Sequence, residues 1–243
     1  MVKLKYIMQR VITLKFDLDS TLFETVPNLK VGINYYTKTT VSESPQMVKG
    51  RLQLFQEQLF FDLDETPVSE FPGIKEWREV WKLFGASASR YRHSTEALMR
   101  KIAKQNYLEP FHSAVDLNNF FSLQYEIPVG IYDADRVNGN ITLSLGNKDT
   151  GYDGLNGRFN SLANILVLSD DTGAFGSPYV DSTRTAVTEE TTDAIQVFFL
   201  RPSMDPAEAL ELITAAGKMF TGVSGGDVQS YVSYVGHSTI IID

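Results

Sequence analysis

The sequence contains no cysteine, and this absence excludes several kinds of chemistry. A chain without cysteine forms no disulfide bond and has neither a thiol nucleophile nor a thiolate metal site. Histidine is also scarce, with three residues at positions 93, 112 and 237. No two of them have the H-x-x-x-H or H-E-x-x-H spacing of a zinc site, so lone core or surface histidines are expected. We predict a protein without a metal or other cofactor.

Long apolar runs are missing too. None approaches the roughly 18 residues that cross a bilayer. Residues 1–5 also lack the apolar segment and small-residue cleavage site of a secretory signal. A cytoplasmic protein with no membrane partner is therefore the expectation. With 243 residues, of which 43% are hydrophobic, the chain is long enough to bury a substantial core.

An excess of positive charge is likewise absent. The 22 lysines and arginines are outnumbered by 30 aspartates and glutamates, and the net charge is −8. Proteins that hold long stretches of nucleic-acid backbone usually have a basic surface. Any nucleic-acid partner must therefore be bound by a local patch, or mainly through its end.

Helical patterns fill the first half of the chain and strand patterns the second. Helices are predicted from Pro45, after Phe71-Pro72, from about Ser94, and from Asp205, which begins a capping box. Strands are predicted at 11–16, 30–36, 140–145, 165–168, 194–200 and 239–242. This order favours an α+β fold with helices packed on a largely antiparallel or mixed sheet. We expect a single domain over 1–243, in which 1–70 is an elaboration, 71–202 the core, and 203–243 a closing helix and strand.

Two polar pairs interrupt apolar segments in the middle of the chain. Asn118 and Asn119 lie within 115–123, a helix or an edge strand, and Asp133 and Asp135 follow a presumed Pro-x-Gly turn at 128–130. Buried amides must be hydrogen-bonded, or each costs about 1–3 kcal/mol. Two interpretations remain open: a structural network that joins two loops, or a pocket that recognises a polar ligand.

These residues resemble the editing module (B3/B4) of the phenylalanyl-tRNA synthetase β subunit, and more closely its free-standing relatives. That family has a V-D-x-x-N segment, then P-x-x-x-[FY]-D, then a turn containing glycine. The matching residues are Val115-Asp116 with Asn119, Pro128 with Tyr132-Asp133, and Asn138-Gly139. The resemblance extends from about Trp77 to Pro202 as a series of short motifs.

The resemblance also suggests roles for individual residues. Asn118 and Asn119 occupy the positions of a threonine and an asparagine in the synthetase's editing pocket. The module's histidine corresponds to Gly130, and its glutamate, which discriminates tyrosine from phenylalanine, falls near Phe198. Because both of these groups are replaced, we do not expect this chain to hydrolyse tyrosine that has been attached in error to the phenylalanine tRNA.

An arginine, serine and glutamate segment of the free-standing relatives maps onto Arg92, Ser94 and Glu96. We expect these residues to line one rim of the pocket. Arg90 belongs to the same cationic segment and is a further candidate. A guanidinium group can form two parallel hydrogen bonds with a phosphate or carboxylate group.

The function that this resemblance implies is a free-standing aminoacyl-tRNA deacylase, an ester hydrolase that acts in trans on the acylated 3′ end of tRNA. The ester is already activated, so positioning supplies much of the rate and neither a metal nor a covalent nucleophile is needed. Asn118 and Asn119 are the candidate catalytic residues, as donors to the developing oxyanion. Asp133 and Asp181 are candidates for binding a cationic amino group, and Gly130 and Tyr132 for contacting the amino-acid moiety. We expect a polar cavity where the helical half meets the sheet half.

Two other functions are compatible with the sequence. The same fold can bind tRNA or an amino-acid-like ligand without turnover, which the acidic composition and the missing histidine and glutamate favour. Alternatively, Asp17 and Asp19 directly follow a predicted strand in the D-x-D-x-T pattern of haloacid-dehalogenase-type phosphatases, in which the first aspartate attacks phosphate. Residues 169–171 would then supply the distal magnesium carboxylates.

Overall fold

A computed structural model describes residues 13–243, and it contains six α-helices and eleven β-strands in that range. The helices are α1 (Thr21–Thr25), α2 (Gln46–Glu65), α3 (Pro72–Leu83), α4 (Ser94–Ile102), α5 (Ser113–Tyr125) and α6 (Pro206–Ser224). The first six strands are β1 (Leu14–Leu18), β2 (Lys30–Thr37), β3 (Val129–Asp133), β4 (Ile141–Leu145), β5 (Gly151–Asp153) and β6 (Phe159–Ser161). The last five are β7 (Leu166–Asp170), β8 (Gly173–Gly176), β9 (Ala194–Phe199), β10 (Asp227–Tyr234) and β11 (Thr239–Ile242). The predicted features at residues 1–5 and 11–12 lie outside the described range.

The strands form two sheets and a small hairpin. One sheet has the order β11-β1-β4-β7-β8, the other the order β10-β2-β9-β3, and β5 pairs with β6. Every neighbouring pair is antiparallel except β1 and β4, which are parallel. This mixed topology confirms the predicted α+β class.

Residues 13–70 contribute to the interior of both sheets. β1 lies between β11 and β4, and β2 lies between β10 and β9. β10 was not predicted from the sequence, although it pairs with β2 over eight residues. Its side chains are mostly half-buried rather than alternately buried and exposed, so the sequence lacks the usual strand pattern.

The central segment is a helix followed by a strand. His112 caps α5 by accepting a hydrogen bond at Nδ1 from the backbone N–H of Val115 at 3.2 Å. The helix ends at Glu126, which has a left-handed backbone with φ 55°. The expected Pro-x-Gly turn is wrong, because Glu126 already reverses the chain and Gly130 lies inside β3.

The core has two parts. One contains the five-stranded sheet, one face of the second sheet, and the tryptophans of α3. The other contains α2, α4, α5 and α6 against the opposite face of the four-stranded sheet. Within the first part, the indole N–H of Trp77 donates to the carbonyl of Phe199 at 3.0 Å, which ties α3 to β9. Among residues 13–243, no helix combines the length and apolar character needed to cross a membrane.

Candidate functional site

A cavity of about 220 Å³ lies where α4 and α5 meet β3 and two loops. Its polar lining residues are Ser94, Asn118, Asn119, Ser122, Tyr132, Asp181 and Ser182. Its apolar lining residues are Leu98, Phe111, Val115, Val129, Ile131, Leu155, Ala186 and Val187. The expectation of a polar cavity is therefore corrected, because eight of the fifteen lining residues are apolar.

One stripe of α5 forms a wall of this cavity. Val115, Asn118, Asn119 and Ser122 recur at steps of three and four residues, so all four lie on the same side of the helix. This spacing is visible in the sequence once the segment is assigned to a helix. The stripe explains why two adjacent amides occur among apolar residues.

Asn118 is committed to the structure. Its Nδ2 donates to the backbone carbonyl of Val129 at 2.8 Å, which ties α5 to the start of β3. Its Oδ1 accepts from Gln196 Nε2 at 3.0 Å. The amide thus has strong partners on both sides, as expected for a network that fixes the cavity wall.

A chain of buried polar groups continues from Asn118 across the four-stranded sheet. Gln196 Oε1 accepts from the Tyr36 hydroxyl at 2.7 Å, and that hydroxyl accepts from Asn34 Nδ2 at 3.1 Å. Asn34 Oδ1 in turn accepts from the hydroxyl of Ser230 on β10 at 2.7 Å. This chain pairs polar side chains of three strands with one another and with α5, so none of these groups is available to a ligand.

Asn119 differs from its neighbour. It lines the cavity and is half-buried, and within residues 13–243 its side-chain amide forms no hydrogen bond. An uncommitted amide beside apolar walls can donate to or accept from a ligand. Of the two predicted catalytic amides, only this one has an unused side chain.

Tyr132 and Asp181 form a hydrogen-bonded pair at the cavity. The hydroxyl of Tyr132 donates to Asp181 Oδ1 at 2.7 Å, and the backbone N–H of Ser177 donates to the same oxygen at 3.3 Å. No group among residues 13–243 donates to Oδ2, and this atom is not sealed from solvent. Burial raises the pKa of Asp181 to about 7, although the two hydrogen bonds oppose the rise. Burial also raises the pKa of Tyr132, which keeps the phenol protonated as a donor.

Gly130 leaves room for the phenol of Tyr132. A Cβ at Gly130 would lie 2.1 Å from the Tyr132 hydroxyl oxygen, and a Cβ at Gly176 would lie 2.4 Å from it. A side chain at either position would displace the phenol from Asp181. Where the resemblance aligns a histidine with Gly130, the space in this chain is filled by Tyr132.

Two predicted carboxylates lie outside the cavity. Glu96 is fully buried and holds Arg78 (Nε–Oε2 3.1 Å) and Arg100 (Nε–Oε1 2.8 Å) in ion pairs. Asp133 accepts from the Thr191 hydroxyl at 2.6 Å and from the backbone N–H of Asp135. The expectation that these carboxylates contact a substrate is corrected, since both are used in fixing loops and helix α4.

The predicted arginines also lie elsewhere. Arg90 and Arg92 line a separate cleft that adjoins the cavity along α4, whereas Ser94 lines the cavity itself. Arg90 and Arg92 precede α4, whereas Ser94 is its first residue. Because the backbone changes direction where the helix begins, the two arginines and Ser94 line different spaces.

Several lining residues were not predicted. Phe111 and Leu155 are large apolar side chains with 71% and 60% exposure, and both lie in loops. Loop residues have no periodicity from which a shared cavity can be inferred. Asp116, the acidic residue of the V-D-x-x-N segment, accepts from the backbone N–H of Phe111 at 3.0 Å and so positions that side chain.

The aspartates of the phosphatase hypothesis have local structural partners. Asp17 is paired with Lys15 at 2.7 Å and accepts from the Thr239 hydroxyl at 2.6 Å. Asp19 accepts from the backbone N–H and the hydroxyl of Thr21. Asp170 is held by Arg184 in a bidentate pair at 2.9 Å for both contacts. In the part of the chain from residue 13 onward, the sheet around β1 has one parallel pair and is otherwise antiparallel, which does not match the parallel strand–helix alternation that this hypothesis requires.

Comparisons with known proteins agree with the resemblance. The model of the B3/4 domain family matches residues 76–221. An uncharacterized protein of Bacillus subtilis, YhzB, is 34% identical over 209 residues, which cover 86% of this chain and 94% of that protein. The phenylalanine–tRNA ligase β subunit of Fusobacterium nucleatum is 25% identical over 138 residues, which cover 56% of this chain and 17% of the subunit.

The corresponding subunit of Bartonella quintana is 24% identical over 134 residues and is covered over 16% of its length. The chain thus spans about a sixth of the ligase subunits that it matches. A solved N-terminal fragment of the phenylalanyl-tRNA synthetase β subunit from Pyrococcus horikoshii has a TM-score of 0.42 and 13% identity, covering 94% of this chain and 54% of the fragment.

Proposed function

We propose that this chain, which belongs to the B3/4 domain family, hydrolyses the ester bond of a mischarged aminoacyl-tRNA, acting in trans. The observation that supports this most strongly is the pairing of two uncommitted polar groups in one largely apolar cavity. Asn119 offers a free amide, and Asp181 offers a free carboxylate oxygen with a pKa of about 7. A general base is most effective when its pKa lies near the working pH.

The cavity fits only part of such a substrate. Pockets for drug-sized ligands are roughly 300–1,000 Å³, whereas this cavity is about 220 Å³. It can accommodate an amino-acid moiety, with the attached ribose at its mouth and the rest of the nucleotide outside. The apolar walls favour an amino acid with an uncharged side chain.

The proposed reaction uses Asp181 as base and acid. Its Oδ2 removes a proton from a water molecule while the water oxygen attacks the ester carbonyl carbon. The negative charge that develops on the carbonyl oxygen accepts a hydrogen bond from Asn119 Nδ2. The intermediate then collapses with cleavage of the bond to the ribose oxygen, which takes the proton back from Asp181. The products are a free amino acid and a tRNA with an intact 3′ hydroxyl.

These groups can supply a useful part of the rate. A positioned general base contributes typically about 10²- to 10⁴-fold. One hydrogen-bond donor to an oxyanion contributes roughly 3–4 kcal/mol in a site from which water is excluded. The hydrogen bond from Tyr132 holds Asp181 in one orientation, and the Asn118 network does the same for the helix that presents Asn119.

A binding module without turnover is the second candidate. The observation that favours it is the loss of the two polar side chains expected from the resemblance. The position of the glutamate falls near Phe198, which is fully buried, and the position of the histidine is Gly130. In that case Asp181 would bind the amino group of a ligand instead of activating water.

Release of amino acid from a panel of mischarged tRNAs tests the proposal. The panel should cover proteinogenic and non-proteinogenic amino acids, and the rate with the best substrate should rise with pH through about 7 as Asp181 ionises. Asp181→Asn should lower that rate about 10²- to 10⁴-fold. Asp149→Asn, a matched change at an exposed aspartate outside the cavity, should leave it unchanged.

Absence of release above the spontaneous rate across the panel would refute the hydrolase. If amino acids or their esters then raise the melting temperature of the unmodified protein but not of Asn119→Ala, the binding module is the correct function.

A further inference from the structure

A cleft of about 450 Å³ borders the cavity, and all of its charged lining residues are cations. These residues are Arg90, Arg92, Arg100, Lys101, Lys104 and Arg158. Three segments are shared by the cleft and the cavity: α4, residues 155–158 and residues 179–182. The cleft and the cavity are therefore built on the same three segments of the chain.

The positive charge in this cleft is largely uncompensated. Arg100 is paired with the buried Glu96, but within residues 13–243 the other five cations form no ion pair. Of these five, Arg90 and Arg92 lie on the approach to α4, Lys101 lies on α4, and Lys104 follows it. In a chain with a net charge of −8, such a cluster is a local exception to an acidic surface. A cleft of one charge sign attracts ligands of the opposite sign and accelerates their association.

The cleft also contains an aromatic ring and two amides. Tyr179 lines it and packs edge-to-face against Tyr91 with a ring-centroid distance of 5.5 Å. Asn106 and Asn156 supply further hydrogen-bonding groups. Grooves that combine cations for the backbone with an aromatic ring for stacking are typical of proteins that bind single-stranded nucleic acid.

We propose that this cleft binds the backbone phosphates of the single-stranded 3′ end of an RNA. The inference rests on the proposed function only for what enters the cavity. The cavity, at about 220 Å³, is too small for a nucleotide, so the terminal nucleoside must lie outside it, and the cationic cleft is built on the same three segments as the cavity. In this way a protein with a net negative charge binds the 3′ end of an RNA through the local cationic cleft.

Binding of a fluorescently labelled single-stranded 12-mer RNA tests the cleft directly. Fluorescence anisotropy at a series of KCl concentrations gives the slope of log affinity against log salt. Each phosphate contact to a single strand contributes about 0.7 to that slope. The double variant R92Q/R158Q should therefore bind more weakly and show a slope smaller by about 1.4.

The matched control is K148Q/K218Q, which removes the same charge at two exposed lysines that have no ion pair within residues 13–243 and do not line the cleft. It should retain the wild-type slope. Tyr179→Leu should weaken binding about five- to 150-fold without changing the slope, because stacking is not electrostatic. Equal slopes for R92Q/R158Q and its control would overturn the proposal. Tighter binding of duplex RNA, or of anionic phospholipid vesicles, than of the single strand would also overturn it.

A phosphate-free substrate separates this proposal from the hydrolase proposal. R92Q/R158Q should cleave aminoacyl-adenosine at the wild-type rate, which also shows that the variant is folded, whereas its KM for the same amino acid on full-length tRNA should rise. If wild type binds the RNA with the predicted salt dependence but cleaves neither ester, the cleft assignment stands and the hydrolase fails. If R92Q/R158Q cleaves both esters as wild type does, the hydrolase stands and the cleft assignment fails.

Discussion

Helix α4 lines both the cavity and the cationic cleft, but the cavity is largely apolar and the cleft is strongly cationic. Ser94 and Leu98 face the cavity from one side of the helix. Ala97, Arg100, Lys101 and Lys104 recur at steps of three and four residues and face the cleft. One short helix thus separates a largely apolar space from a strongly cationic one.

Under the two proposals, this difference implies that the cavity determines turnover and the cleft determines RNA binding. In a cavity with apolar walls, charges are poorly screened, so an uncommitted carboxylate and amide would interact strongly with the ester of the proposed reaction. In a cleft that is open to solvent, ion pairs are screened over about 10 Å at 0.1 M salt, so affinity there depends on the number of cations. Changes in the cavity should therefore affect turnover, and changes in the cleft should affect binding and its salt dependence.

Asn119→Ala should have the largest effect on the cavity alone. Removal of one oxyanion donor typically lowers kcat about 10²- to 10³-fold. The melting temperature should change little, because the Asn119 amide has no partner within residues 13–243. Steady-state hydrolysis and thermal denaturation are the two measurements. RNA binding in the cleft should be unchanged. A loss of stability with unchanged activity per folded molecule would instead assign Asn119 to the structure.

Asn118→Ala should give the opposite result to its neighbour. It leaves the carbonyl of Val129 and the amide of Gln196 without their partners. The free energy of unfolding should fall by about 1–3 kcal/mol, as measured by urea denaturation. Any loss of activity should follow the loss of folded protein. The adjacent Asn119→Ala is the control, and an unchanged unfolding midpoint for Asn118→Ala would contradict the network.

His93→Asn tests the start of the shared helix. Burial lowers the pKa of His93 to about 4, below its usual 6.5, so the folded state keeps this imidazole neutral. Its contribution to stability is present above pH 6.5 and is lost as the pH falls toward 4, at up to about 1.4 kcal/mol per pH unit. The variant, whose asparagine can still cap the helix, should lack this dependence.

The His93 measurement is a difference between two unfolding curves. Asp181 has a raised pKa and acts with the opposite sign, gaining stability as the pH falls below about 7. Its contribution is common to both proteins and cancels in the difference. Asparagine at the exposed His237 serves as the control and should behave like wild type. Parallel curves for wild type and His93→Asn would contradict this assignment.

Tyr132→Phe should have the smallest effect and refines the role of Asp181. The phenol stabilises the charged carboxylate, so its removal should raise the pKa of Asp181 further above about 7. The acidic limb of the pH–rate profile should move to higher pH, while the maximal rate stays close to that of wild type. RNA binding in the cleft should not change. A shift to lower pH would show that Asp181 is not the base.

Periodicity explains how much of the fold could be predicted from sequence. The stripes of α2, α3 and α4 and the capping box of α6 are local features, and those helices begin within a few residues of the predicted positions. β10 and the reversal at Glu126 were missed because each depends on its neighbours. β10 is a strand because it pairs along β2, and a left-handed glutamate is not visible as a turn residue.

The candidate site was only partly accessible from sequence. Ser94, Asn118, Asn119 and Tyr132 were chosen from motifs and Asp181 as a candidate carboxylate, and the structure places them around one cavity. Glu96 and Asp133 came from the same motifs but have structural partners. A motif gives the residue type at a position, whereas the hydrogen bonds of each side chain depend on segments that are distant in sequence.

The sequence by itself determined the α+β class and the polar residues from which a site could be built, because these follow from local spacing and composition, and the family followed from the resemblance of its short motifs. Only the tertiary structure decided which of two adjacent asparagines is free, since Asn118 meets Val129 and Gln196 while Asn119 does not. It also separated the arginines from the cavity and gathered them with Arg158 into a cleft. The physical reason is that hydrogen-bond satisfaction and charge clustering are properties of neighbours in space, and a linear pattern specifies those neighbours only within a few residues.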